Sequence, residues 1–219
     1  MPCNIGFKTY QEVYLPVLLP KKLRKKIDAP KVDLDLLNKL GETSPEFVEW
    51  LDELDLKPLL EFTLAETLKN NNTSGIEFSI QDRFVVAETE YTGSTEKTMI
   101  EGMISRVMNE FQMKTLEMIA RLLEFETTIR EENGDFIIEG EKANPDNNQV
   151  SRYLRIKRSA NGQSEIMFEH YSSKDALKEE RAKFTVLAQK FGLSINLTLP
   201  CAVGSPIAGG VEHRGHLKH

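Results

Sequence analysis

The residues best equipped for chemistry gather at the end of the chain. His213, His216 and His219 recur at a spacing of three in a Gly/Pro-rich tail that also carries Cys201. Imidazole and thiolate are donors that zinc, nickel and copper accept, and these side chains could complete a tetrahedral shell. One reading of the tail is therefore a site for zinc or another divalent metal. Closed metal sites, however, set their ligands on defined turns or helices, and a terminus of this composition is ordered mainly by what it binds. The stronger expectation is an arm that docks on a partner.

Upstream of the tail the only histidine is His170. Strand parity sets it beside Ile166 and Phe168 on an apolar face, where a histidine normally serves structure. No nucleophile stands at a diagnostic spacing from it, and neither Cys3 nor Cys201 lies in a recognisable nucleophile setting. The glycines form neither G-x-x-x-x-G-K nor G-x-G-x-x-G, so phosphate cradles of those kinds are absent from the sequence. Carboxylates crowd one hairpin at Glu131, Glu132, Asp135, Glu139 and Glu141, a pattern expected of an edge guarded by charge.

Two groups of cations could contact an anionic partner. Lys21, Lys22, Arg24, Lys25 and Lys26 form a basic cluster among prolines, and the acidic run beyond it, from Asp33 to Asp55, offers internal neutralisation instead. Tyr153, Arg155 and Lys157 share one strand face, with Arg152 and Arg158 beside it. An aromatic between cations can stack on a base and hold phosphates, yet Glu169 on the neighbouring strand is expected to pair with these charges. A formal net charge of -6 over 219 residues also speaks against general nucleic-acid binding.

No window approaches the roughly 20 apolar residues of a membrane span. The N-terminus lacks the pattern of a secretory leader. With only 2 cysteines, the chain suits a reducing, cytoplasmic setting.

The elements that must carry these residues follow from periodicity. Residues 1–31 read as an extended arm with the basic cluster, including a weakly alternating stretch from Ile5 to Leu15. Residues 32–75 read as helices: Leu34, Leu37 and Leu40 on the first, ended by Gly41; Phe47, Trp50, Leu51 and Leu54 on the second, capped by Ser44 before Pro45; Leu59, Phe62, Leu64 and Leu68 on a third begun by Pro58. A polar connector, Asn70 to Gly75, closes this part.

Residues 76–199 read as an α+β core. Ile76, Phe78, Ile80, Phe84 and Val86 share one parity, as in a half-buried strand interrupted at Asp82. A long helix capped by Ser94 or Thr95 carries Ile100, Ile104, Val107, Phe111, Met118, Leu122 and Phe125. Asn133-Gly134 predicts a two-residue type I′ turn that sets Ile129 against Ile138. A three-residue loop with Gly162 at positive φ sets Ile156 against Ile166 and Leu154 against Phe168. Ser172 begins a last helix with Leu177, Phe184, Leu187 and Phe191 on its buried stripe, Gly192 ends it, and Leu193 to Leu199 add a strand before the tail at 200–219.

The expected architecture is thus a mainly antiparallel sheet of consecutive hairpins against a long central helix and a C-terminal helix. The functional expectation is a non-enzymatic interaction or assembly module whose arms dock on a partner protein or a second copy. The alternatives are a metal-binding protein or small metal-dependent enzyme using the histidine tail, and a nucleic-acid-binding accessory protein.

Overall fold

The computed structural model describes residues 7–14, 32–81, 84–89, 94–143, 151–159, 164–196 and 202–203. The chain is α+β, with antiparallel strand pairs and a helix packed on the sheet. It divides into two compact units, one built from residues 1–13, 120–184 and 195–219 and the other from 14–119 and 185–194.

The first unit is organised by the sheet. Its strands are β1 (Phe7–Tyr14), β4 (Glu126–Glu132), β5 (Asp135–Lys142), β6 (Arg152–Arg158), β7 (Ser164–Tyr171), β8 (Ser194–Asn196) and β9 (Ala202–Val203), in the order β4-β5-β6-β7-β1-β8 with β9 also on β1. The weakly alternating N-terminal stretch is therefore strand β1, antiparallel to β7. Asn133 and Gly134, at φ 55° and 82°, make the type I′ turn, and Ile129 faces Ile138 as the pattern predicts. Ile156 faces Ile166 and Leu154 faces Phe168. Gly162 itself lies outside the described residues. Where β5 runs beneath Phe125, a Cβ on Gly140 would come within 3.1 Å of the Phe125 Cβ, which explains a glycine mid-strand.

Helix α5 (Lys174–Lys190) covers one face of this sheet. Its cap is Ser173, not Ser172: the Ala176 amide donates to Ser173 Oγ at 3.1 Å. Leu177 and Phe184 are fully buried, and Phe184 meets Phe168 edge-on at 5.7 Å. Apolar residues at alternate sheet positions and at helical spacing on α5 thus meet in one core.

The second unit holds α1 (Leu34–Thr43), α2 (Pro45–Glu53), α3 (Leu56–Lys69), β2 (Ile76–Gln81), β3 (Phe84–Thr89) and most of α4 (Ser94–Leu122). Helix α1 passes through Gly41 to Thr43: Asp33 caps its start by accepting from the Leu36 amide, and the Ser44 amide closes its end on the Leu40 carbonyl at 2.7 Å. Helix α3 starts at Leu56, capped by Asp55, so Pro58 lies in its first turn, where its missing N–H has no partner to lose. The stretch from Ile76 to Val86 is a hairpin. Ile80 pairs with Val85 and Phe78 with Ala87, so even residues of β2 share a face with odd residues of β3, and Val85 is the buried one at 4% exposure. Pairing Gln81 with Phe84 inverts parity between β2 and β3, which a single-strand reading misses. The end of α5 belongs here, where the Lys190 ammonium donates to the Leu51 carbonyl and Gln189 Oε1 accepts from the Asp33 amide at 2.9 Å.

Both long helices end in the same way. At α5, the Gly192 and Leu193 amides donate to Gln189 and Ala188 carbonyls, with Gly192 at φ 89°. At α4, the Glu124 and Phe125 amides donate to Arg121 and Ala120, but the left-handed position at φ 67° is Glu124. A Schellman end closed by a glutamate leaves no glycine in the sequence to announce it.

Candidate functional site

The charged groups of the sheet unit separate onto its two faces. On the outer face, Glu139 of β5 accepts from Arg130 Nη2 at 3.0 Å and from the Tyr153 hydroxyl at 2.9 Å. The Arg155 Nε lies 4.0 Å from the same oxygen. Lys157 pairs with Asp135 at 2.9 Å, and Arg130 also reaches Glu132 at 3.2 Å. Arg155 therefore meets Glu139 directly across the strands, whereas Lys157, opposite Ile137, reaches Asp135 diagonally. Burial pushes the Glu139 carboxyl up, but hydrogen bonds from Arg130 and Tyr153 and the charges of Arg130 and Arg155 outweigh it and hold the group below the usual carboxylate range. Burial, then the hydrogen bond to Glu139, pushes the Tyr153 phenol up to about 12.

Strand register gives this face Glu126, Glu132, Asp135, Glu139, Glu141, Glu165 and Glu169 against Arg130, Arg155 and Lys157. Carboxylates outnumber cations, which does not favour a nucleic-acid surface. Asp135 and Glu139 also lie on a strand paired on both sides, not at the sheet edge. Arg152 and Arg158 belong to the opposite face, with Leu154 and Ile156. Arg158 is 2% exposed, donates to Ser164 Oγ at 3.0 Å, and is pushed down to about 10 by burial.

The inner face holds a second cluster that sequence reading missed. Lys142 and Arg152 stand opposite each other on β5 and β6. Both reach Glu180 of α5, at 2.8 and 3.4 Å, and the Glu180 side chain is only 5% exposed. Lys142 also donates to the Leu123 carbonyl at 3.0 Å and lies over the Phe125 ring at 4.8 Å. The Arg152 guanidinium sits 5.1 Å from the centre of the Tyr171 ring. The Tyr171 hydroxyl is buried with no hydrogen-bond partner, and burial, with the Glu180 charge, pushes its phenol far up. Glu180 falls between Leu177 and Phe184 on the helical repeat. A gap in the apolar stripe was the available signal.

His170 does not lie beside Ile166 and Phe168. Phe7 pairs with Tyr171 but Thr9 pairs with Phe168, so Glu169 and His170 together face Lys8 in a β-bulge, with His170 at φ 65°. The extra residue exchanges the faces of the strand. Tyr171 joins Phe168 at 6.3 Å, while the His170 ring lies 6.3 Å from Tyr153, with Nε2 3.8 Å from Glu169.

His213, His216, His219, Cys201, Lys21, Lys22, Arg24, Lys25 and Lys26 lie outside the described residues. Among the described residues no group of His, Cys, Asp and Glu is arranged to hold a metal ion, and no helix is long and apolar enough to cross a membrane. The chain matches no known protein family, no curated protein and no solved structure.

Proposed function

We propose that the protein is a non-enzymatic interaction or assembly module of the cytoplasm, docking on a partner protein or a second copy. The supporting observation is the end strand β4, which closes the strand order on one side and is exposed along nearly its whole length. A sheet edge offers main-chain donors and acceptors to another chain, and terminal arms could add contacts around it. The paired outer-face charges are consistent with this reading, because Glu139, Arg130 and Tyr153 satisfy one another instead of leaving a poised acid or base.

The test is capture by the full-length, untagged chain in extract of its own host, followed by mass spectrometry and native mass measurement. A stoichiometric protein partner or a self-complex, weakened by removing residues 204–219, is the expected result. A monomer without partner that carries stoichiometric zinc, lost on His213→Ala and His216→Ala, would overturn the proposal in favour of the metal reading.

A further inference from the structure

An apolar row crosses the sheet and ends open. Register sets Ile129 against Ile138, Ile138 against Ile156, and Ile156 against Ile166. Their exposures are 37%, 1%, 0% and 0%. Only the isoleucine on β4 lacks a neighbour on one side among the described strands, since β4 ends the strand order.

The backbone of β4 is similarly half used. In a hairpin closed by a two-residue turn, Glu132 and Asp135 exchange hydrogen bonds, and alternate pairs from there do the same. The N–H and C=O groups of Glu126, Thr128, Arg130 and Glu132 therefore point toward β5. Those of Thr127, Ile129 and Glu131 point outward. An incoming strand would find main-chain partners at Ile129 and Glu131 and an unfinished apolar row at Ile129.

Charge selects what that strand can be. Glu126, Glu131 and Glu132 are exposed on β4, with Arg130 the one cation of the strand. Antiparallel pairing with a second copy about Ile129 would set Glu126 against Glu132 at both ends, and like charges directly opposite are destabilising. Edge charge ordinarily discourages pairing of any kind. Here its predominantly negative sign repels copies and acidic chains while attracting basic ones. We propose that β4 is the docking edge for an extended basic segment of a partner protein, with an aliphatic residue against Ile129, an uncharged one against Arg130, and Lys or Arg against Glu126, Glu131 and Glu132.

This rests on the interaction-module reading and names its partner class. The experiment is fluorescence anisotropy of the full chain with a labelled Lys-Lys-Thr-Val-Thr-Thr-Lys peptide, its counterpart with Glu in place of each Lys, and a backbone N-methylated form of the basic peptide. The basic peptide is expected to bind at least about tenfold tighter than the acidic and N-methylated ones, and to weaken as salt rises. Glu131→Pro removes an outward N–H without touching the β4–β5 ladder and should abolish binding with an unchanged circular-dichroism melt. If that variant does not fold, Glu126→Lys with Glu132→Lys should reverse the peptide preference. Equal binding of all three peptides, no binding of the basic one, or an undisturbed preference in the charge variants would overturn the assignment. Partner capture that persists beside such a result would sink the β4 edge and leave the module reading standing.

Discussion

Each face of the sheet is centred on one glutamate that gathers cations from neighbouring strands, yet the two arrangements differ in what water can do for them. Glu139 on the outer face has a side chain 29% exposed, and its partner Arg130 is 51% exposed. Glu180 on the inner face is 5% exposed, and its partners Lys142 and Arg152 are 14% and 13% exposed. Solvent can replace Arg130 if Glu139 is lost. It has little access to Lys142 or Arg152 if Glu180 is lost. The same ionic motif is therefore dispensable on one face and obligatory on the other.

The sharpest way to break that comparison is Glu180→Ala, which strands two cations under α5. It should destabilise the protein by about 3–5 kcal/mol, read from urea unfolding, and a loss comparable to that of Glu139→Gln would mean water reaches the inner cluster. Tyr171→Phe removes a buried hydroxyl that has no partner, so stability should rise by about 1 kcal/mol. A fall would reveal a partner for the hydroxyl, such as a bound water. Glu139→Gln should cost less than about 1 kcal/mol, and the difference from the parent should shrink in high salt.

Acid separates the faces further. Because the folded Glu139 carboxyl lies below its unfolded value, its contribution is present above the ordinary carboxylate range and is lost as pH falls through the folded value. Unfolding midpoints followed downward from neutral pH should therefore converge for the parent and Glu139→Gln. Parallel curves would show that Arg130 and Tyr153 do not hold the carboxyl down.

The outer face was partly legible in the sequence because strand parity is a strict code: the Asn133-Gly134 turn fixes the register of β4 on β5, and parity puts Tyr153, Arg155 and Lys157 on one face of β6. The inner cluster was not, because its members come from β5, β6 and α5, and only packing brings Glu180 to Lys142. Hairpin registers were readable where apolar residues had to match, as with Ile156 and Ile166. Parity failed where a residue was inserted or a turn intervened without a glycine to mark it. His170 and the passage from β2 to β3 are those cases, and Glu124 did the same for the end of α4.

The bulge at Glu169 and His170 makes residue count part of the instruction carried by β7. Upstream of it, even-numbered positions face α5; downstream, Tyr171 does. A deletion of one residue there would shift the phase of the strand, sending the Tyr171 ring outward and drawing a polar neighbour in, although no individual side chain had been altered in kind. In this stretch a gene would tolerate many substitutions more readily than the loss of a single codon.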